Sequence, residues 1–186
     1  MARCSTWGLL FITILYFIGA AHVCQAQGIQ SGNSSWSLDP YLGQYDFVLE
    51  SRHLMEEFVN GILDVPKNVA NGPTSIIFSK TSDGKYKQET VRSDPKYNVV
   101  SVFVLGETSS LQTAPGYKLK STYMMPDRYT LRSRISYWKN DVDVAEYAVT
   151  FSFTPDGSGI SNVLEVIHPK QFQASVTLAR NRTGSR

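Results

Sequence analysis

Residues 41–62 read Tyr41-Leu42-Gly43-Gln44-Tyr45-Asp46-Phe47-Val48-Leu49-Glu50-Ser51-Arg52-His53-Leu54-Met55-Glu56-Glu57-Phe58-Val59-Asn60-Gly61-Ile62. The hydrophobic period changes once within this stretch. Tyr41, Gly43, Tyr45, Phe47 and Leu49 fall on every second position, the mark of a strand with one apolar face. Leu54, Phe58 and Ile62 then recur every fourth, backed by Met55 and Val59, with Glu56 and Glu57 on the wet side. That spacing predicts a short helix opened by Ser51 as its cap. Pro66 interrupts it, because the proline ring cannot continue the hydrogen-bond ladder. One more turn over 67–70 is stopped by Asn71-Gly72-Pro73. The reading is a strand followed by a helix-turn-helix.

Downstream, the sequence predicts only strands, over 74–80, 85–91, 98–105, 117–123, 129–138, 145–153, 162–168 and 172–179. Turn clusters divide them, such as Ser82-Asp83-Gly84, Ser93-Asp94-Pro95, Lys139-Asn140-Asp141 and Pro155-Asp156-Gly157. A helix pair inserted once, between the first strand and the second, is no crossover for a parallel sheet. An antiparallel meander must protect its edges, and closure on itself does so most economically. The expected fold is all-β: a closed antiparallel up-and-down β-barrel of about ten strands, with a helix-turn-helix lid between the first two.

Upstream, residues 1–26 read as a secretory signal peptide: Arg3 at the start, an apolar run over 7–23 broken only by Thr13 and His22, and Cys24-Gln25-Ala26 before the cleavage point. Both cysteines, Cys4 and Cys24, fall in that segment. The exported chain is then expected to fold without disulfides and to carry out no thiol chemistry. Residues 27–38 read as a flexible leader, 39–181 as the barrel and 182–186 as a polar tail. Asn33-Ser34-Ser35 and Asn181-Arg182-Thr183 are glycosylation sequons on either flank, with Asn33 and Asn181 as acceptors. The expected localisation is secreted.

The composition narrows the function. Eighteen Lys and Arg against sixteen Asp and Glu leave +2, too little to neutralise many phosphates, so no nucleic acid is expected as partner. Aromatic residues make up 12% of the chain, enough to line a sizeable core or cavity. No enzyme is expected. Beyond residue 26 the histidines are His53 and His168, which read as a helix start and a strand end. Gly157-Ser158-Gly159 sits in a turn rather than between strand and helix, so it is no nucleophile elbow. No metal site and no cofactor are expected.

The run from Asn98 to Ser121 carries a resemblance. Asn98, Phe103, Leu105-Gly106, Thr113-Ala114, Lys118-Leu119-Lys120 and Ser121 stand in the order and spacing of the intracellular lipid-binding proteins, the fatty-acid-binding and cellular retinoid-binding proteins of the calycin superfamily. Tyr41-Leu42-Gly43-Gln44-Tyr45 resembles that family's opening Gly-x-Trp strand, with tyrosine for tryptophan, and Trp138 matches a tryptophan common in it. The resemblance spans about residues 39–181 and implies a monomeric carrier whose partner is a hydrophobic small molecule: a fatty acid, a fatty derivative or a retinoid. A secreted interaction or structural glycoprotein that keeps the barrel without the ligand is the alternative. A lipocalin is a second, though it usually has no helix pair after its first strand.

The resemblance also implies site residues. The family often grips a carboxylate with two arginines and a tyrosine, and its last strand usually supplies Arg-x-Tyr. Thr177 and Ala179 stand there instead, so the usual clamp is expected to be missing. Arg132 and Arg134 share one face of a strand, and their spacing from Trp138 resembles inward positions of the family. Simple alternation would instead turn Leu131, Ile135 and Tyr137 inward and the arginines to water, and the sequence leaves both readings open. Thr150, Ser152 and Thr177 are candidates for neutral hydrogen bonds, and Phe103 and Trp138 complete the ligand-binding set. Leu54, Met55, Phe58 and Tyr97 resemble the portal, although they could simply pack the helices on the rim. Arg52, Lys67 and Lys96 near that mouth allow transient contact with a membrane surface.

Overall fold

The turns organise the sheet. The computed structural model describes residues 35–114 and 117–181. Gly84 takes φ +81° in the turn after the first long hairpin strand, and Asn140 and Asp141 take φ 50° and 62° in a two-residue turn. Left-handed residues at both centres make a turn whose twist matches the flanking strands. The turns join ten strands: β1 Gly43–Phe47, β2 Thr74–Lys80, β3 Tyr86–Arg92, β4 Val99–Phe103, β5 Thr108–Ala114, β6 Tyr117–Asp127, β7 Thr130–Lys139, β8 Val142–Phe153, β9 Gly159–His168 and β10 Phe172–Arg180. Two short helices, α1 Met55–Gly61 and α2 Lys67–Ala70, lie between β1 and β2. All pairings are antiparallel, in the order β4-β3-β2-β1-β10-β9-β8-β7-β6-β5. β1 pairs with β10, so the sheet wraps on itself, and β4 and β5 come side by side as its two ends. This is the expected up-and-down barrel, nearly closed.

Sequence reading missed β5. Its residues, Thr108-Ser109-Ser110-Leu111-Gln112-Thr113-Ala114, hold one large apolar side chain in seven and show no alternation. Long-range pairing with β6, Thr108 opposite Thr122 through Leu111 opposite Leu119, makes it a strand. Between β4 and β5 no ladder pairing occurs among the described residues. Side chains close that seam. Phe103 of β4 stacks on Tyr123 of β6, ring centres 3.8 Å apart, and Tyr86 of β3 lies 5.8 Å from Phe103.

One end of the barrel is plugged. Tyr41 stacks on Phe153 at 4.2 Å, and Phe78 meets Tyr45, Phe151 and Phe153 edge-on at 5.5–6.3 Å. Leu38, Tyr45, Phe78 and Ile160 are essentially without exposure there. The helices cover the opposite end. Met55, Phe58 and Val59 of α1 are buried, and Glu56 bonds both Lys67 of α2 (2.9 Å) and the Asn71 amide (3.0 Å), clipping the helices together.

Ser51 does not cap the helix. The cap position belongs to Leu54, in the left-handed region at φ 51°. Ser51 ends a 3-10 turn and stitches the lid's entry to the last strand instead. Its hydroxyl donates to the Val48 carbonyl (2.7 Å) and accepts the Thr177 amide (2.8 Å). His53 adds a bridge to Ser175. Ser51→Ala is expected to cost about 1 kcal/mol, the net worth of an ordinary hydrogen bond. Urea unfolding checks this, and an unchanged midpoint would show that the stitch carries no load.

Candidate functional site: a lidded cavity in the barrel

Strand alternation decides what faces inward. On β8 the interior positions are Ala145, Tyr147, Val149, Phe151 and Phe153; on β10 they are Ala174, Val176 and Leu178. On β2, Thr74, Ile76 and Phe78 point in. Residues directly opposite across a ladder share a face, so their β3 partners Arg92, Thr90 and Gln88 also face the interior.

These walls line a partly open cavity of about 460 Å³ between the aromatic plug and the helices. Its volume lies within the range of small-molecule sites. Apolar lining comes from Met55, Phe58, Ile76, Val149, Phe151 and Leu164, among others. Phe58 of the lid contacts the Tyr147 ring edge-on at 4.9 Å, so helix and barrel wall meet over the space. Polar lining is sparse and specific. Gln88 Oε1, Ser133 Oγ and Asn162 Oδ1 are buried without a hydrogen-bond partner in the protein. Unpaired buried polar atoms cost free energy, so these three, with the buried Nε of Arg52 on the same wall as a fourth, mark places where a guest's polar atoms would be welcome. Burial pushes the Tyr123 phenol up to about 12 and the Tyr147 phenol well above its ordinary value, so both remain neutral.

Charge gathers toward the lid. Arg52, Arg92 and Lys96 line the cavity against one carboxylate, Asp64. Arg52 is committed to structure. Its guanidinium donates to the Ala70 carbonyl (3.0 Å) and the Gly72 carbonyl (2.8 Å), satisfying the end of α2, and lies over the Phe47 ring. Arg92 is half-buried and donates one hydrogen bond to the Tyr97 carbonyl. Burial pulls the Arg52 and Arg92 guanidinium groups below the ordinary arginine value, yet arginine stays charged in proteins.

The sequence-predicted residues divide. Met55, Phe58 and Tyr97 line the cavity. Leu54 does not; its side chain is exposed outside the lid. Arg132 and Arg134 point to water, because Leu131, Ser133, Ile135 and Tyr137 take the inner face of β7; Arg134 pairs instead with Glu146 on the outside. Thr150, opposite Arg132, and Ser152, opposite Ser161, share that outer side of β8, and Thr177 is exposed on β10. Trp138 sits outside under the Lys120 ammonium, 4.9 Å from its ring centre. Phe103 is buried, but it serves the seam rather than the cavity wall. The Asn181 amide donates to Asp46 (2.7 Å), while Asn33 and residues 1–26 lie outside the described residues.

Gln88, Arg92, Ser133 and Asn162 were missed. Their signal was available only through pairing: the Ile76 and Phe78 face of β2 fixes that of Gln88 and Arg92, and Leu131 and Ile135 fix that of Ser133.

The fold and site therefore define a ten-stranded barrel with a helical lid over an internal, mostly apolar cavity. No family model matches the sequence, and no curated protein matches it. Solved structures resemble it. Secretory abundant heat soluble protein 4 from Ramazzottius varieornatus is 19% identical, over 80% of this chain and 100% of that one, with a TM-score of 0.61. A Schistosoma mansoni fatty acid binding protein in complex with arachidonic acid is 17% identical over 78% and 98%, at 0.59. Lipid binding protein 8 of Caenorhabditis elegans is 11% identical over 80% and 100%, at 0.60. These likenesses show the fold that the chain shares with fatty-acid-binding and secretory heat-soluble proteins.

Proposed function

We propose that this protein is a secreted, non-enzymatic carrier that reversibly buries a hydrophobic small molecule, a fatty acid, fatty derivative or retinoid-like compound, inside its barrel. The lidded cavity carries this reading: a mostly apolar space with a few unpaired polar atoms, lying between aromatic rings at one end and two short helices at the other. Each buried methylene contributes about 0.8 kcal/mol, so a long acyl chain supplies ample driving force. The lid helices have few turns of their own and depend on packing, which suits a roof that loosens to admit a guest. Among the compared structures, one holds arachidonic acid and another is a lipid binding protein, which supports a lipid cargo. The signal-like segment at 1–26 and the two sequons support export.

The full chain, expressed in a secreting eukaryotic host, should leave the cell with Gln27 as its first residue. Under native mass spectrometry the product should carry a co-purified lipid, and after delipidation it should take up added fatty acid. A folded, secreted barrel that retains and accepts no lipid would favour the structural glycoprotein instead.

A further inference from the structure

We propose that the guest is an amphipathic carboxylate bound head-outward, its carboxylate held by Arg92 under the lid and its apolar tail directed toward the aromatic plug. This deepens the carrier reading and rests on it.

The argument starts from where charge is and is not. Deep in the cavity the polar side chains are uncharged: Gln88, Ser133 and Asn162. The last strand, where the resemblance places an Arg-x-Tyr clamp, turns Ala174, Val176 and Leu178 inward. A carboxylate lodged there would lose its water without meeting a cation, at a prohibitive cost. The inward face of β3 runs Gln88, Thr90, Arg92, from the barrel's middle to its mouth, with Arg92 opposite Thr74, two residues past Gly72. Arg92 thus brings a cation to the lid end of the apolar space.

Arg92 is also the cation with capacity to spare. Both terminal nitrogens of Arg52 are engaged by carbonyls, which leaves it only its buried, unpartnered Nε. Arg92 spends one donor on Tyr97, and no carboxylate pairs with it among the described residues. The one acid on the cavity wall, Asp64, has a side chain 79% exposed and lies 3.9 Å from Lys139. A partly buried guanidinium without a counter-charge is held at a cost that an arriving carboxylate removes, and the planar fork matches a carboxylate's two oxygens. Lys96, also on the cavity wall, reinforces the positive mouth.

The test uses three dodecyl ligands that share a tail and differ in head: dodecanoate, dodecanol and dodecylamine. Each displaces the neutral reporter N-phenylnaphthylamine from the full-chain secreted protein. An uncharged cavity would favour the alcohol, because the carboxylate is costlier to dehydrate. The expected order is acid, then alcohol, then amine, with the acid about ten- to a hundredfold tighter than the alcohol. Arg92→Met should bring the acid-to-alcohol ratio to about one, and Arg92→Lys, which keeps the charge and should fold even if the methionine variant does not, should leave part of the preference. Equal binding of acid and alcohol by the wild type, or a ratio unmoved in both variants, would overturn the head-group assignment while leaving carriage intact. Failure of all three ligands to displace the reporter would sink both.

Discussion

Phe78→Ala is expected to destabilise the barrel by about 3–5 kcal/mol, the cost of deleting a buried phenyl ring from a packed site. Phe78 is 1% exposed and contacts the rings of Tyr45, Phe151 and Phe153. Those partners come from β1 and β8, so the lost ring leaves a hole where the two sides of the wrapped sheet meet. Phe78 is not itself on the wall of the ligand cavity, but its ring partner Phe151 and its ladder partner Gln88 are, so the hole opens beside that cavity. Domains are commonly stable by only about 5–15 kcal/mol, so the variant should show a much lower urea midpoint and a fraction unfolded at physiological temperature. A loss below about 1 kcal/mol would mean that the plug is loosely packed, and with it that the barrel is not sealed at that end.

The second large effect runs through the cavity. Ser133→Phe is expected to leave the fold intact and abolish useful ligand binding. Ser133 is 4% exposed, faces the cavity, and its hydroxyl has no partner in the protein. Overpacking normally strains a core, but here the ring enters open space of about 460 Å³. Removing an unsatisfied hydroxyl offsets part of any strain. Stability should therefore stay within about 1 kcal/mol of wild type. The ring takes the room of several ligand methylenes at about 0.8 kcal/mol each, so displacing four weakens dodecanoate binding by more than about a hundredfold. Fluorescence displacement, read beside a thermal melt, separates the two effects. Undiminished binding to a folded variant would place the guest somewhere other than this cavity.

The two predictions depend on features of unequal visibility. Phe78 stands in a run, Thr74-Ser75-Ile76-Ile77-Phe78, whose bulky positions and flanking turn announce a strand, and the neighbouring period-two strands announce its partners. The helix pair was equally plain, because Leu54, Phe58 and Ile62 change the period. Its opening was misread at Ser51, since a serine before an apolar run serves as readily to stitch loops as to cap helices. Only the approach of Thr177 shows which it does.

Site residues were harder to read because a strand's hydropathy does not say which face is the inside when both faces are mixed. Arg132 and Arg134 alternate with Leu131 and Ile135, and the apolar parity wins the interior. β3, Tyr86-Lys87-Gln88-Glu89-Thr90-Val91-Arg92, has no apolar parity at all, and every residue of it is partly buried. Arg92 owes its inward direction to the ladder with β2, where Thr74 stands opposite it and Ile76 opposite Thr90.

By itself, then, the amino-acid order determined the strand-forming segments, most of the turns and the single helical interruption, because these follow from local periodicity and from Gly, Pro, Asn and Asp at the bends. Tertiary structure alone decided that β5 exists, that rings close the seam between β4 and β5, and that Arg92 rather than Arg132 meets the cavity. Each of those outcomes is set by register across the sheet, and register is a relation between distant segments that no local pattern contains.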